Sequence, residues 1–140
     1  MLHQTRPTSF AKSQIDQLVK EWLKHRQEVL VHYSQLSTVE ENHEELLQTF
    51  CQILLDYVAA GHFRMFEKLA EFHITSKKTA PLDGNLLKKI LITTDVVLEF
   101  NEKYTEPKNL EKLSFDLSHL GETLANRMDW EDEFVQLALG

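Results

Sequence analysis

Apolar residues recur at steps of three, four and seven along most of this 140-residue chain. That is the period of an α-helix with one buried face; a half-buried strand would bury every second residue instead. The first pattern runs from about Ser13 to Leu36, with Ile15, Leu18, Trp22, Val29, Tyr33 and Leu36 on one stripe. Ser13 followed by Asp16 reads as a capping box with Asp for the usual Glu. The second begins near Thr38 or Val39, with Glu40, Glu41, Glu44 and Glu45 where the helix dipole is positive. Its stripe is Leu47, Phe50, Leu54, Tyr57 or Val58, Gly61, Met65, Leu69 and Phe72. Pro81 and Gly84 mark a loop from Thr79 to Asn85. A third helix is expected from about Asp83 to Tyr104, with Leu86, Leu87, Ile90, Thr94, Val97 and Asn101 inward. Beyond a turn at Pro107, a fourth runs from about Asn109 to Leu139. It turns Leu110, Leu113, Leu117, Leu120, Leu124, Met128, Val135 and Ala138 inward.

Four such helices with short connections predict an all-α fold, a single domain over 1–140 built as an antiparallel up-down four-helix bundle. One residue disturbs the pattern. Gly61 lies in the middle of the second helix, where Gly costs about 1 kcal/mol relative to Ala. It marks a kink, a break or a close helix crossing.

Composition narrows the function. With 22 acidic and 15 basic residues the net charge is −7. A nucleic-acid-binding module needs a basic face, so direct nucleic-acid binding is not expected; a basic protein partner is. The single Cys excludes an internal disulfide and any zinc site that needs two thiolates. No apolar run approaches the roughly 20 residues of a membrane span. A cytoplasmic protein with Cys51 reduced is expected.

Polar residues on the inward stripes are the first candidates for function. At roughly 100° per residue, Arg26 falls beside Trp22 and Val29. Asn101 lies between Val97 and Tyr104, and Glu131 between Met128 and Val135 with Arg127 one turn earlier. His62 sits at the edge of the second stripe. In antiparallel register Arg26, His62, Arg127 and Glu131 fall within about two turns of one another. A buried Glu beside two Arg demands pairing. The group is either a satisfied internal network or the lining of a small-ligand or proton-handling site, as in a sensor or enzyme. A di-iron bundle would need two inward Glu-x-x-His motifs. Only Glu40-x-x-His43 and the looser Asp116-x-x-His119 occur, and neither faces inward well. No metal or other cofactor is expected.

The second candidates are apolar residues on an outward face. If the second helix were continuous, Gln52, Asp56, Ala59, Phe63 and Phe66 would line the side away from Leu54 and Val58. Small residues permit close approach, aromatics supply buried area, and a lone carboxylate gives polarity. That mixture reads as a protein-binding surface, unless Gly61 breaks the helix and turns Phe63 or Phe66 into the core. Phosphate loop, Gly-x-Ser-x-Gly elbow and dinucleotide fingerprint are all absent from the sequence, so an enzyme is not expected.

Phe50-Cys51, Leu55-Asp56-Tyr57-Val58-Ala59-Ala60-Gly61-His62-Phe63, Glu67 and Leu69 resemble the signature segment of the Rsd/AlgQ family. Trp22-Leu23 with Arg26, Phe100-Asn101, Leu120-Gly121, Leu124, Arg127 and Glu131-Asp132 extend the resemblance from about Ile15 to Leu139. The chain departs from the family at Lys20-Glu21, where Asp-Arg is usual, and at Ala59, where Ser is common. The resemblance implies an all-α anti-sigma regulator. Such a protein binds the C-terminal helix-turn-helix domain of the primary sigma factor and lowers transcription from housekeeping promoters, as in stationary phase. By position it implies Asp56 foremost, then Phe63 and His62, as sigma-facing residues; Ala59, Trp22 and Phe66 complete the expected surface. A monomer is expected.

Overall fold

The computed structural model describes residues 7–38, 43–75, 84–106 and 110–140; within these, the side chains of residues 7–11, 43, 62, 63 and 75 are not described. The described residues are mostly helical, and no strand occurs among them. Five α-helices follow in order, α1 Pro7–Thr38, α2 His43–Ala60, α3 Phe66–Thr75, α4 Gly84–Tyr104 and α5 Leu113–Leu139. A π-helical turn, Gly61–Met65, joins α2 to α3.

The ends differ from the sequence expectation. α1 starts at Pro7, six residues before Ser13, so Ser13 is an interior position and its capping box is not used. Proline suits a first helical position, because its missing N–H would have no partner there and its φ is already helical. The expected start of the second helix at residues 38–39 falls largely outside the described residues, as do most of the 79–85 loop and Pro107. Glu44 and Glu45 stand in the first turn of α2, where carboxylates meet the positive end of the dipole. α5 begins at Leu113 rather than Asn109, after a turn closed by the Leu113 amide donating to the Leu110 carbonyl at 3.2 Å.

One core runs through the molecule. Ile15, Trp22, Val29 and Leu36 of α1 meet Leu47, Phe50, Leu54 and Val58 of α2, Leu86, Ile90 and Val97 of α4, and Leu117, Leu120, Leu124 and Phe134 of α5. α1 packs on α2, α2 on α4 and α4 on α5, while α3 packs on α1 and α5. Edge-to-face rings tie these layers, with Phe50 on Phe100 and Phe66 on Phe134, at centroid distances of 6.1 and 5.6 Å.

Gly121 sets the spacing of two helices, and Gly61 starts an irregular turn. Gly121 faces Tyr33, whose hydroxyl donates to the Leu117 carbonyl at 2.9 Å. A Cβ on residue 121 would overlap that hydroxyl and lie 2.8 Å from the ring carbon that bears it, so α1 and α5 can approach only with Gly there. Gly61 opens the π turn, in which the Phe66 amide donates to the Gly61 carbonyl five residues back. The turn accommodates one extra residue. Past it, the buried set is Met65, Phe66, Leu69, Phe72 and His73. Met65, Leu69 and Phe72 belong to the stripe read from sequence; Phe66 and His73 widen it.

Candidate functional site

The interior holds a charged group assembled from four helices. Arg127 and Glu131, one turn apart on α5, are both fully buried. The Arg127 Nε donates to Glu131 Oε2 at 3.0 Å and to the Tyr57 hydroxyl of α2 at 3.2 Å. Its Nη1 donates to the Ile90 carbonyl at 3.2 Å, to Thr93 Oγ1 at 3.0 Å and to Thr94 Oγ1 at 2.7 Å, all on α4. The Tyr57 hydroxyl in turn donates to Glu131 Oε1 at 2.6 Å. Arg26 of α1 reaches in from the edge, its Nη1 3.6 Å from Glu131 Oε1 and 2.7 Å from Asp132 Oδ1. It also lies over the Trp22 ring, 4.9 Å from the centroid.

This arrangement answers the cost of burying ions. Each charge faces its opposite, and hydroxyls and a backbone carbonyl take further valences, while Arg127 Nη2 is buried with no hydrogen-bond partner among the described residues. Burial pushes the Glu131 carboxyl above its ordinary value, while Arg127, the Tyr57 hydroxyl and Arg26 pull it back. Burial first, and then Glu131, hold the Tyr57 phenol well above its ordinary value, so it stays a neutral donor.

Sequence reasoning placed Arg26, Arg127 and Glu131 at one level, and the structure brings these three together. Asn101 is not with them. Its Nδ2 donates to the Cys51 carbonyl at 2.6 Å, about two turns back along α2 from Tyr57. Tyr57, Thr93 and Thr94 are the members the sequence did not reveal. On an apolar stripe, Tyr57 reads as a ring and its hydroxyl goes unnoticed. The His62 side chain lies outside the described residues. Cys51 is buried, and burial pushes its thiol up to about 11.

The expected partner surface changes in composition. Asp56 is exposed on α2, as expected. It is not without a partner, since Gln52 Nε2 donates to Asp56 Oδ1 at 3.0 Å; a neutral amide orients the carboxylate and leaves its charge. Ala59 is half-buried beside it. Phe66 is a correction. It is 3% exposed and packs on Trp22 and Phe134, because the π turn rotates it inward. Trp22 is a correction too. At 1% exposed, with its indole nitrogen also buried, it belongs to the core stripe of α1 and offers no contact surface. The Phe63 side chain lies outside the described residues.

Among the described residues no three of His, Cys, Asp and Glu gather as a metal site would need, and no helix is long and apolar enough to cross a membrane.

Fold and site together define a small all-helical protein with a self-paired charged interior and an exposed acid on α2. The chain belongs to the Rsd/AlgQ family, described as regulator of RNA polymerase sigma(70) subunit, whose model matches residues 1–139. It is 30% identical over 132 residues to the regulator of sigma D of Pectobacterium carotovorum, covering 86% of each chain. It is 27% identical over 135 residues to that of Yersinia pseudotuberculosis, covering 88% of this chain and 80% of the other. No solved structure matches it.

Proposed function

We propose that this protein is an anti-sigma regulator that binds the C-terminal helix-turn-helix domain of the primary sigma factor. Bound there, it keeps the domain from promoter DNA and core polymerase and so lowers housekeeping transcription. The observation that carries this reading is the family match over residues 1–139. The charge supports it, since a DNA-reading domain is basic and this chain carries −7. In this reading it acts in the cytoplasm as a monomer, by binding rather than catalysis. The scaffold is an antiparallel four-helix bundle whose second element, α2 with α3, bends at the π turn. Contacts that pair the end of α1 with the start of α5, and the end of α4 with the start of α5, favour that arrangement.

Asp56, Ala59, His62 and Phe63 are the proposed contacts on α2 and the π turn. Asp56→Ala should weaken binding by roughly 2–5 kcal/mol if the contact is a buried, hydrogen-bonded charge pair. It should leave folding within about 0.5 kcal/mol. Calorimetric titration with the isolated sigma domain, alongside a melting curve, reads both. Normal binding by the mutant would remove Asp56 from the interface.

A further inference from the structure

The relative register of α2 and α4 is fixed at two levels. Near one end Asn101 bonds the Cys51 carbonyl and Phe100 packs on Phe50. Toward the other, Arg127 binds Tyr57 of α2 together with Ile90, Thr93 and Thr94 of α4. Residue numbers therefore rise along α2 as they fall along α4. Leu55, one turn past Cys51, comes level with Leu98, just under one turn before Asn101. These two are 39% and 40% exposed. The same seam continues through the half-buried Ala59, one turn beyond Leu55 on α2, and the half-buried Leu91, two turns before Leu98 on α4.

Single exposed leucines are ordinary on a soluble protein. Here apolar residues of two neighbouring helices stand at one level, and acids lie one to four positions from them in sequence. Asp56 on α2, and Asp95 and Glu102 on α4, are all exposed. None of the three makes a salt bridge among the described residues. Acids elsewhere do pair, as Asp116 does with Lys103 and Asp132 with Arg26.

We propose that the outer α2–α4 seam, Leu55, Ala59, Leu91 and Leu98 bordered by Asp56, Asp95 and Glu102, is a docking groove for a basic amphipathic helix of the sigma domain. This rests on the anti-sigma reading and adds α4 to a surface so far placed on α2 and the π turn. The apolar stripe of the incoming helix covers the leucines, and its Lys or Arg flanks meet carboxylates that have no salt-bridge partner among the described residues.

Leu98→Lys and Asp95→Lys, compared with the parent protein by calorimetric titration against the isolated sigma domain, test the groove. Each should weaken binding at least tenfold with an unchanged melting curve. Phe115→Ser, at a more exposed residue of α5 outside the seam, should bind as the parent does. If the parent binds and both seam variants bind as tightly, the groove is overturned and the anti-sigma reading stands. If the parent does not bind, the reading fails and the groove with it. Should Leu98→Lys lower the melting temperature, Asp95→Lys, at an exposed position, decides. A concentration-dependent dimer that Leu98→Lys dissociates would give the seam to a second copy and overturn the proposal.

Discussion

Glu131 is where one side chain matters most. Removing it leaves the Arg127 guanidinium fully buried, with only the hydroxyls and the carbonyl around it. Breaking a buried pair in this way typically costs about 3–5 kcal/mol. Glu131→Ala should show that loss in denaturant unfolding; a change inside about 0.5 kcal/mol, ordinary for a surface site, would contradict the geometry. Asp116 gives the clearest pH dependence. Its carboxylate accepts from Lys103 Nζ at 2.7 Å and from the Tyr104 hydroxyl at 2.6 Å, and these bonds hold it below its ordinary value. A carboxyl lowered on folding contributes stability above its unfolded value and loses it as pH falls through the folded one. Asp116→Asn should therefore melt below the parent at neutral pH. The gap should close as pH drops below about 4, and a gap that persists at acid pH would exclude the linkage. At this scale the charges were legible, since Arg26, Arg127 and Glu131 each interrupt an apolar stripe. The hydroxyls that bond to them were not, because Thr and Tyr are compatible with a core position whether or not the oxygen is used.

Among elements, α1 and α5 approach closely where Tyr33 meets Gly121. Gly121→Ala should push Tyr33 off the Leu117 carbonyl and disturb its packing on Phe50, whose ring centroid is 6.1 Å away. Overpacking of this kind costs roughly 1–3 kcal/mol. Tyr33→Ala in the same background should recover part of the loss on a thermal melt, whereas additive losses would mean the two residues do not collide. The helices themselves were legible from their stripes over long runs, as Ile15, Trp22, Val29 and Leu36 illustrate. The π turn was only half legible. Gly61 announced an irregularity, but an inserted residue and a kink leave the same mark in a sequence. The bond from the Phe66 amide to the Gly61 carbonyl, five residues back, separates them.

For the whole molecule, the net charge of −7 acts on a basic partner before contact is made. Raising the salt concentration should slow association with the sigma domain, because screening over about 8–10 Å sets in at physiological ionic strength. The complex should survive, held by apolar contacts that salt does not screen. Stopped-flow association rates across a salt series check this, and a rate independent of salt would exclude steering. The acidic total was plain in the sequence. Its distribution was not, because pairing such as that of Asp132 with Arg26 depends on which helices become neighbours. The π turn has a consequence of another kind. α2 packs on α1 and α4, whereas α3 packs on α1 and α5, so one continuous stretch of chain serves two different sets of neighbours. What lets it do so is a count, the single supernumerary residue held within Gly61–Met65. Deleting any one residue there would leave the composition nearly intact and yet turn all of α3 away from its seats. In this stretch the protein stores shape in arithmetic, and it is more vulnerable to a missing letter than to a changed one.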